Sequence, residues 1–152
     1  MAFALAITIA LGYVSFALGT ASVAGMLAGM TLAFLALVLG GVGWFAVLIS
    51  FFAIGGFSTL FRYEEKQQRG IAEKNEGARW SGNVLGNAGV ALLALLASVT
   101  GAYLSIPVEP FRLAFAGSIA AAMSDTLSSE IGGLYDDPRL VTTFQRVDPG
   151  TD

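Results

Sequence analysis

Five apolar runs, at residues 3–18, 21–39, 44–61, 83–104 and 111–131, take up most of this chain. Each approaches the length of a membrane crossing, about 20 apolar residues with ~17 as the lower limit, and the first is the shortest. The balance of residue types agrees. Only 12% are charged, half of the about 25% usual in a soluble domain, while 55% are hydrophobic and mean hydropathy is +0.72. The expectation is an all-α, polytopic membrane helix bundle of five spans, forming a single domain over residues 1–152. The N-terminus is apolar from Ala2 and has no basic flank, so a cleaved signal peptide is not expected.

Glycine marks the turns. Gly19-Thr20 separates the first two runs, and Gly40-Gly41-Val42-Gly43 the second and third. Trp44 and Phe45 follow that turn, where an interfacial aromatic anchor would sit. Within the second run, Ala21, Ala24, Gly25, Ala28 and Gly29 suit close helix packing. Gly55-Gly56 in the third run either permits close packing or loosens the helix beside a cavity.

Residues 62–82 are different in kind. Arg62, Lys66, Arg69, Lys74 and Arg79 alternate with Glu64, Glu65, Glu73 and Glu76. A short helix is expected over about 62–76, supported by the Glu65–Arg69 pair at i,i+4. Five of the eight Lys and Arg residues lie in this loop, Arg139 and Arg146 lie in the polar tail 132–152, and Arg112 stands on the opposite side. With five spans the loop and tail share a face. The positive-inside rule makes that face cytoplasmic and the N-terminus external, in the cell membrane.

Three polar helix ends then converge on the cytoplasmic side: Ser58 and Thr59, Asn83 and Asn87, and the stretch from Asp125 to Glu130. Ionisable groups in a membrane helix are expensive and usually face a protein interior or a wet cavity. At about 100° per residue, Asp125 and Ser129 nearly stack, with Thr126 and Glu130 on an adjoining stripe. The absence of histidine and cysteine excludes disulfides, thiol chemistry and imidazole acid–base catalysis. Hard oxygen ligands remain. Asp125 and Glu130 suit Mg²⁺, which commonly bridges one or two carboxylates to substrate phosphates. Lys66, Arg69 and Arg79 are candidates for neutralising phosphate oxygens, and Asn83 and Asn87 for holding a phosphate or a ligand water. Phosphoryl transfer needs mostly positioning and charge stabilisation. A simpler reading also fits: Asp125 and Glu130 pair with Arg79 or Lys66 and fix helix register, the asparagines join helices, and the loop is a solvated face. No phosphate-binding loop motif of soluble nucleotide folds is present.

Four ordered segments resemble the transmembrane protein 19 family (domain of unknown function 92). They are Gly41-Val-Gly-Trp-Phe leading to Phe51-Phe52 and Gly56-Phe-Ser-Thr59; Glu76-Gly-Ala-Arg79 leading to Asn83-Val-Leu-Gly-Asn87; Ser124-Asp-Thr-Leu-Ser-Ser-Glu-Ile-Gly132; and Pro138-Arg-Leu-Val-Thr-Thr-Phe144 leading to Val147-Asp-Pro-Gly-Thr-Asp152. In the third, Ser124 replaces the family's alanine and Leu127 its tryptophan. The wording is similar to archaeal members. The resemblance implies a polytopic membrane enzyme, since plant relatives are phytyl-phosphate kinases that use a nucleoside triphosphate. Carried over by motif, Asp125, Glu130 and Lys66 would be catalytic, the two carboxylates holding Mg²⁺. Asn83, Asn87, Arg79, Thr126, Ser129, Ser58 and Thr59 would bind substrate. CTP or ATP would be the donor and an isoprenoid monophosphate the acceptor. Family members continue beyond Asp152, so the chain is expected to be C-terminally incomplete. Membrane lipids and a second copy of the chain are the further partners considered; no basic run suits nucleic acid. The competing functional classes are a transporter or channel subunit, since intramembrane carboxylates also mark ion paths, and a non-catalytic structural subunit.

Overall fold

The computed structural model of the protein describes residues 1–72, 77–135, 137–140 and 142–147. Glu73, Lys74 and Glu76, named above as parts of the charged loop, lie outside them, as does the stretch 148–152 of the tail. Among the described residues, six α-helices follow in order: α1 Ala2–Ala17, α2 Val23–Leu35, α3 Val42–Leu60, α4 Tyr63–Gln68, α5 Ser81–Tyr103 and α6 Glu109–Gly132. Among the described residues there is no strand, only isolated bridges between Ala21 and Arg79 and between Arg139 and Arg146.

The helix limits have local causes. Ser22 caps α2, its hydroxyl accepting a hydrogen bond from the Gly25 N–H at 3.2 Å, which satisfies one donor left open at a helix start. A π-helical turn at Ala36–Gly40 extends α2. Gly41 then takes φ +87°, and α3 begins at the next residue. Pro110 sits in the first turn of α6, where its missing N–H costs nothing. The charged helix α4 is shorter than expected from the sequence, ending at Gln68 before Gly70 at φ +72°.

Among the described residues, three helical stretches are long and apolar enough to cross a membrane: Val23–Gly40, Val42–Leu60 and Ser81–Tyr103. The other two expected spans are different. The 16 residues of α1 reach about 24 Å at 1.5 Å per residue, and α6 has the length, with 24 residues, but carries Arg112, Asp125 and Glu130.

Packing follows from the small face of α5. Val84, Ala88, Ala91, Leu95 and Ser98 recur every three or four residues and are all buried, so they form one stripe. Their small size lets α2 and α6 approach closely. Leu32, Ala33 and Ala36 from the α2 side, Trp44, Leu48 and Phe51 of α3, and Phe115 and Ile119 of α6 complete the core. Thus α2, α5, α6 and α3 surround one apolar centre, while α1 packs on α2. Trp44 faces the core and not outward. It is 5% exposed and its ring lies 4.8 Å from that of Phe115. The tight glycine turn rotates it inward, and α6 presents an aromatic partner.

Candidate functional site

The last turn of α3 organises one end of the bundle. The hydroxyls of Ser58 and Thr59 both donate to the Gly55 carbonyl, at 2.8 and 3.0 Å. Both side chains are buried, so these two expected substrate contacts are turned onto their own helix. The backbone carbonyls of the same two residues are left open at the helix end, as the last carbonyls of any helix are. Lys66 fills them. Arg62 takes a left-handed conformation at φ +53° and folds α4 back beneath α3. The Lys66 ammonium then donates to Ser58 O at 2.6 Å and Thr59 O at 3.2 Å.

Its third donor goes to Glu130 Oε2 of α6, at 2.6 Å. The Lys66 side chain is 1% exposed and that of Glu130 12%. An ammonium has three donors, and all three are engaged. The positive charge also lies where a helix C-terminus favours a cation. The pair joins residues 64 positions apart and fastens the end of α3 to the end of α6. On the surface of α4, Glu65 pairs with Arg69 at 2.7 Å, as the spacing suggests, and with Arg62 as well.

Arg79 occupies the opposite flank of α3. Its backbone N–H donates to Thr20 O at 3.0 Å, and its carbonyl accepts from the Ser22 N–H at 2.9 Å. The residue is 8% exposed. Its guanidinium lies against Gly55, where an added Cβ would come within 2.7 Å of Nη2, and sits 5.5 Å from the centre of the Phe51 ring. Gly25 makes the backbone approach possible: a Cβ there would fall 2.0 Å from the Arg79 carbonyl oxygen. Sequence reasoning gave Gly25 a packing role only, gave Gly55 close packing or a looser helix beside a cavity, and named Phe51 only within a motif of the family resemblance. The signal was the pairing of glycines on two helices with one distant arginine, which the sequence alone does not connect.

Gly55 is therefore shared. One side receives Arg79 and its carbonyl receives the hydroxyls beside Lys66, so two cations flank a single turn of α3. Asn83 and Asn87 are half-buried in the first turns of α5, just beyond Arg79. Asp125, Ser128 and Ser129 are exposed on the outer face of α6, and Thr126 is half-buried. The structure turns Asp125 and Glu130, expected to share a metal, to different surroundings. Five residues separate them, about 140° around a helix at 100° per residue, and Glu130 is turned to Lys66 while Asp125 faces outward. Among the described residues no group of three or more acidic side chains could hold a metal ion.

The end of the bundle thus combines the α1–α2 turn, the close of α3, the start of α5 and the close of α6. An added Cβ at Gly133 would meet Ile71 at 2.8 Å, so the beginning of the tail also returns to the charged loop. Such an arrangement gathers charged and polar groups at one end of an apolar bundle.

Comparison with known proteins sets the chain among membrane proteins. A family described as "Integral membrane protein DUF92" matches residues 6–152. The chain is 35% identical over 116 residues to "Protein VTE6, chloroplastic" of Arabidopsis thaliana, covering 74% of this chain and 34% of that protein. It is 36% identical over 118 residues to an uncharacterized membrane protein of Synechocystis sp., covering 73% and 43%. A third relative, an uncharacterized membrane protein of Methanocaldococcus jannaschii, is 33% identical over 129 residues, covering 84% and 50%. The chain therefore spans between a third and half of the length of these curated relatives. No solved structure matches. A match over nearly the whole chain, on a bundle with three helices apolar enough to cross a bilayer, leads to one conclusion: the chain belongs to the integral membrane protein family DUF92.

Proposed function

We propose that this chain acts in a membrane-embedded lipid-phosphate kinase, which moves a phosphoryl group from CTP or ATP to an isoprenoid monophosphate such as phytyl or geranylgeranyl phosphate. The observation that carries the reading is the gathering of Arg79, the Lys66–Glu130 pair, Asn83, Asn87 and Asp125 toward one end of an apolar bundle. The resemblance of the sequence motifs to plant phytyl-phosphate kinases supports it. The Lys and Arg distribution assigns that end to the cytoplasm, where a soluble nucleotide and a lipid can meet.

The chemistry suits the residues. A phosphate oxygen of the lipid attacks the γ-phosphorus, the bond between that phosphorus and the β–γ bridging oxygen breaks, and a nucleoside diphosphate leaves. The nucleophile is already anionic, so no general base is required, and a chain without histidine is not handicapped. The main barrier is the approach of two anions, which positive charge must offset. Arg79 would receive phosphate oxygens. Lys66 and Glu130 hold α3 and α6 in register, and a phosphate could reach Lys66 only by displacing Glu130. Asp125 would hold Mg²⁺ together with the donor phosphates, the one-carboxylate arrangement common for this ion. Thr126, Ser129, Asn83 and Asn87 would orient phosphates and waters.

The closed Lys66–Glu130 geometry favours a second reading, in which the polar cluster only locks the bundle. Protein purified in detergent separates the two. With Mg²⁺ and γ-labelled CTP or ATP, the kinase reading expects labelled geranylgeranyl diphosphate, and Asp125→Asn should lower its rate about 100-fold or more, as loss of a charge-stabilising group does. Absence of transfer, or wild-type transfer by Asp125→Asn at unchanged thermal stability, would rule out the proposed site.

A further inference from the structure

Trp80 stands immediately before α5, and its backbone explains where the indole goes. The residue is extended, at φ −96° and ψ 174°, and in an extended stretch successive side chains point to opposite sides. Arg79 turns into the bundle and Trp80 turns out of it: Arg79 is 8% exposed and Trp80 56%. Gly82 completes the arrangement. An added Cβ there would come within 2.4 Å of the indole ring, so the ring lies back over the first turn of α5. At the far end of the same helix Tyr103 is 87% exposed. Between the two aromatics α5 carries no charged residue, and its outward side shows Leu85, Val90, Leu93 and Leu96. The 23 residues of α5, at 1.5 Å each, set the two aromatics about 35 Å apart. That is longer than the hydrocarbon core of a bilayer, about 30 Å, and shorter than the bilayer with its headgroups, about 40–45 Å.

We infer that Trp80 and Tyr103 are interfacial anchors of this protein, and that the partner of each is the glycerol and headgroup layer of a lipid bilayer. An indole or a phenol suits that layer because its body is apolar and its tip is polar. Trp44, the anchor expected from the sequence, does not take this part, since its ring lies in the core against Phe115. Exposed aromatics recur at the Trp80 end on other helices. Phe57 and Phe61 close α3 with rings 6.1 Å apart, and Tyr135 follows α6. The contact is therefore a belt around that end of the bundle. The anchor also bears on the candidate site. Arg79 precedes Trp80 directly and holds the α1–α2 turn through the backbones of Thr20 and Ser22, so lipid contact at Trp80 fixes that end of the bundle at headgroup depth. The inference stands apart from the kinase reading, because it involves neither nucleotide nor substrate.

Tryptophan fluorescence of the protein in phosphatidylcholine vesicles tests this. The chain has two tryptophans, so Trp44→Phe leaves Trp80 as the reporter. Bromine is placed near the carbonyl end, at mid-chain or near the methyl end of the acyl chains. Quenching should be greatest near the carbonyl end and fall about twofold or more toward the methyl end, as for a ring held at the interface. Tyr103→Trp, made with both native tryptophans replaced by phenylalanine, should give the same profile. Should Trp44→Phe fail to fold, the difference between wild type and Trp80→Phe reads the same quantity, because the buried Trp44 contributes alike to both. Tyr103→Trp added to Trp80→Phe then reports on the other end. Quenching that peaks near the methyl end at either position would overturn the anchors. So would a ring that no brominated lipid quenches while aqueous acrylamide does.

Discussion

Lys66 shows how much a single side chain can settle. Its ammonium closes the end of α3 and pairs with Glu130 while 1% exposed. Removing one partner of a buried pair leaves an uncompensated charge and costs about 3–5 kcal/mol, whereas replacing both by apolar groups is often neutral. Lys66→Met should therefore lower thermal stability in detergent strongly, and Lys66→Met with Glu130→Leu should recover most of it. A double variant no better than the sum of the singles would show that the pair is not coupled. The glycines permit a finer contrast. Gly25→Ala drives a Cβ into the Arg79 carbonyl and should cost about 1–3 kcal/mol. Gly29→Ala, four residues on and facing open space, should be neutral or stabilising by about 0.5–1 kcal/mol, as for any unhindered glycine in a helix. Calorimetric or fluorescence melts of the two variants would read the difference.

At the level of elements, the helices were largely legible in the sequence. With the π-helical turn to Gly40 counted as the end of α2, the observed ends of the five long helices fall within two residues of the apolar runs, because glycine turns, Ser22 and Pro110 act locally. The Glu65–Arg69 pair was legible for the same reason. Trp44 was not, since a tryptophan after a turn looks alike whether it meets headgroups or Phe115. That contact now carries weight: Trp44→Ala should cost about 3–5 kcal/mol, the range for a large buried aromatic, and an unchanged melting temperature would contradict the packing of α3 on α6. Among the site residues, the sequence suggested that Glu130 or Asp125 pairs with Lys66 or Arg79. It did not choose the pair. The choice depends on the left-handed turn at Arg62 and on which face α6 turns inward, both consequences of tertiary packing.

For the whole molecule, the decisive feature is that the α1–α2 turn, α4, the start of α5 and the end of α6 meet at one end. The chain has no cysteine, so single cysteines report sidedness directly. Gln68→Cys in α4 should react with an impermeant maleimide only from the cytoplasmic side, and Leu104→Cys beyond α5 only from the opposite side. The same reactivity at both positions would break the alternation of spans. The central claim joins this topology to the chemistry, and vectorial phosphoryl transfer tests both together. In proteoliposomes of known orientation containing geranylgeranyl phosphate and Mg²⁺, labelled diphosphate should form when γ-labelled CTP or ATP is supplied on the side bearing α4 and the tail. It should not form when the nucleotide is confined to the other side. Product from either side alike, or no product from the α4 side, would contradict the site described at that end of the bundle.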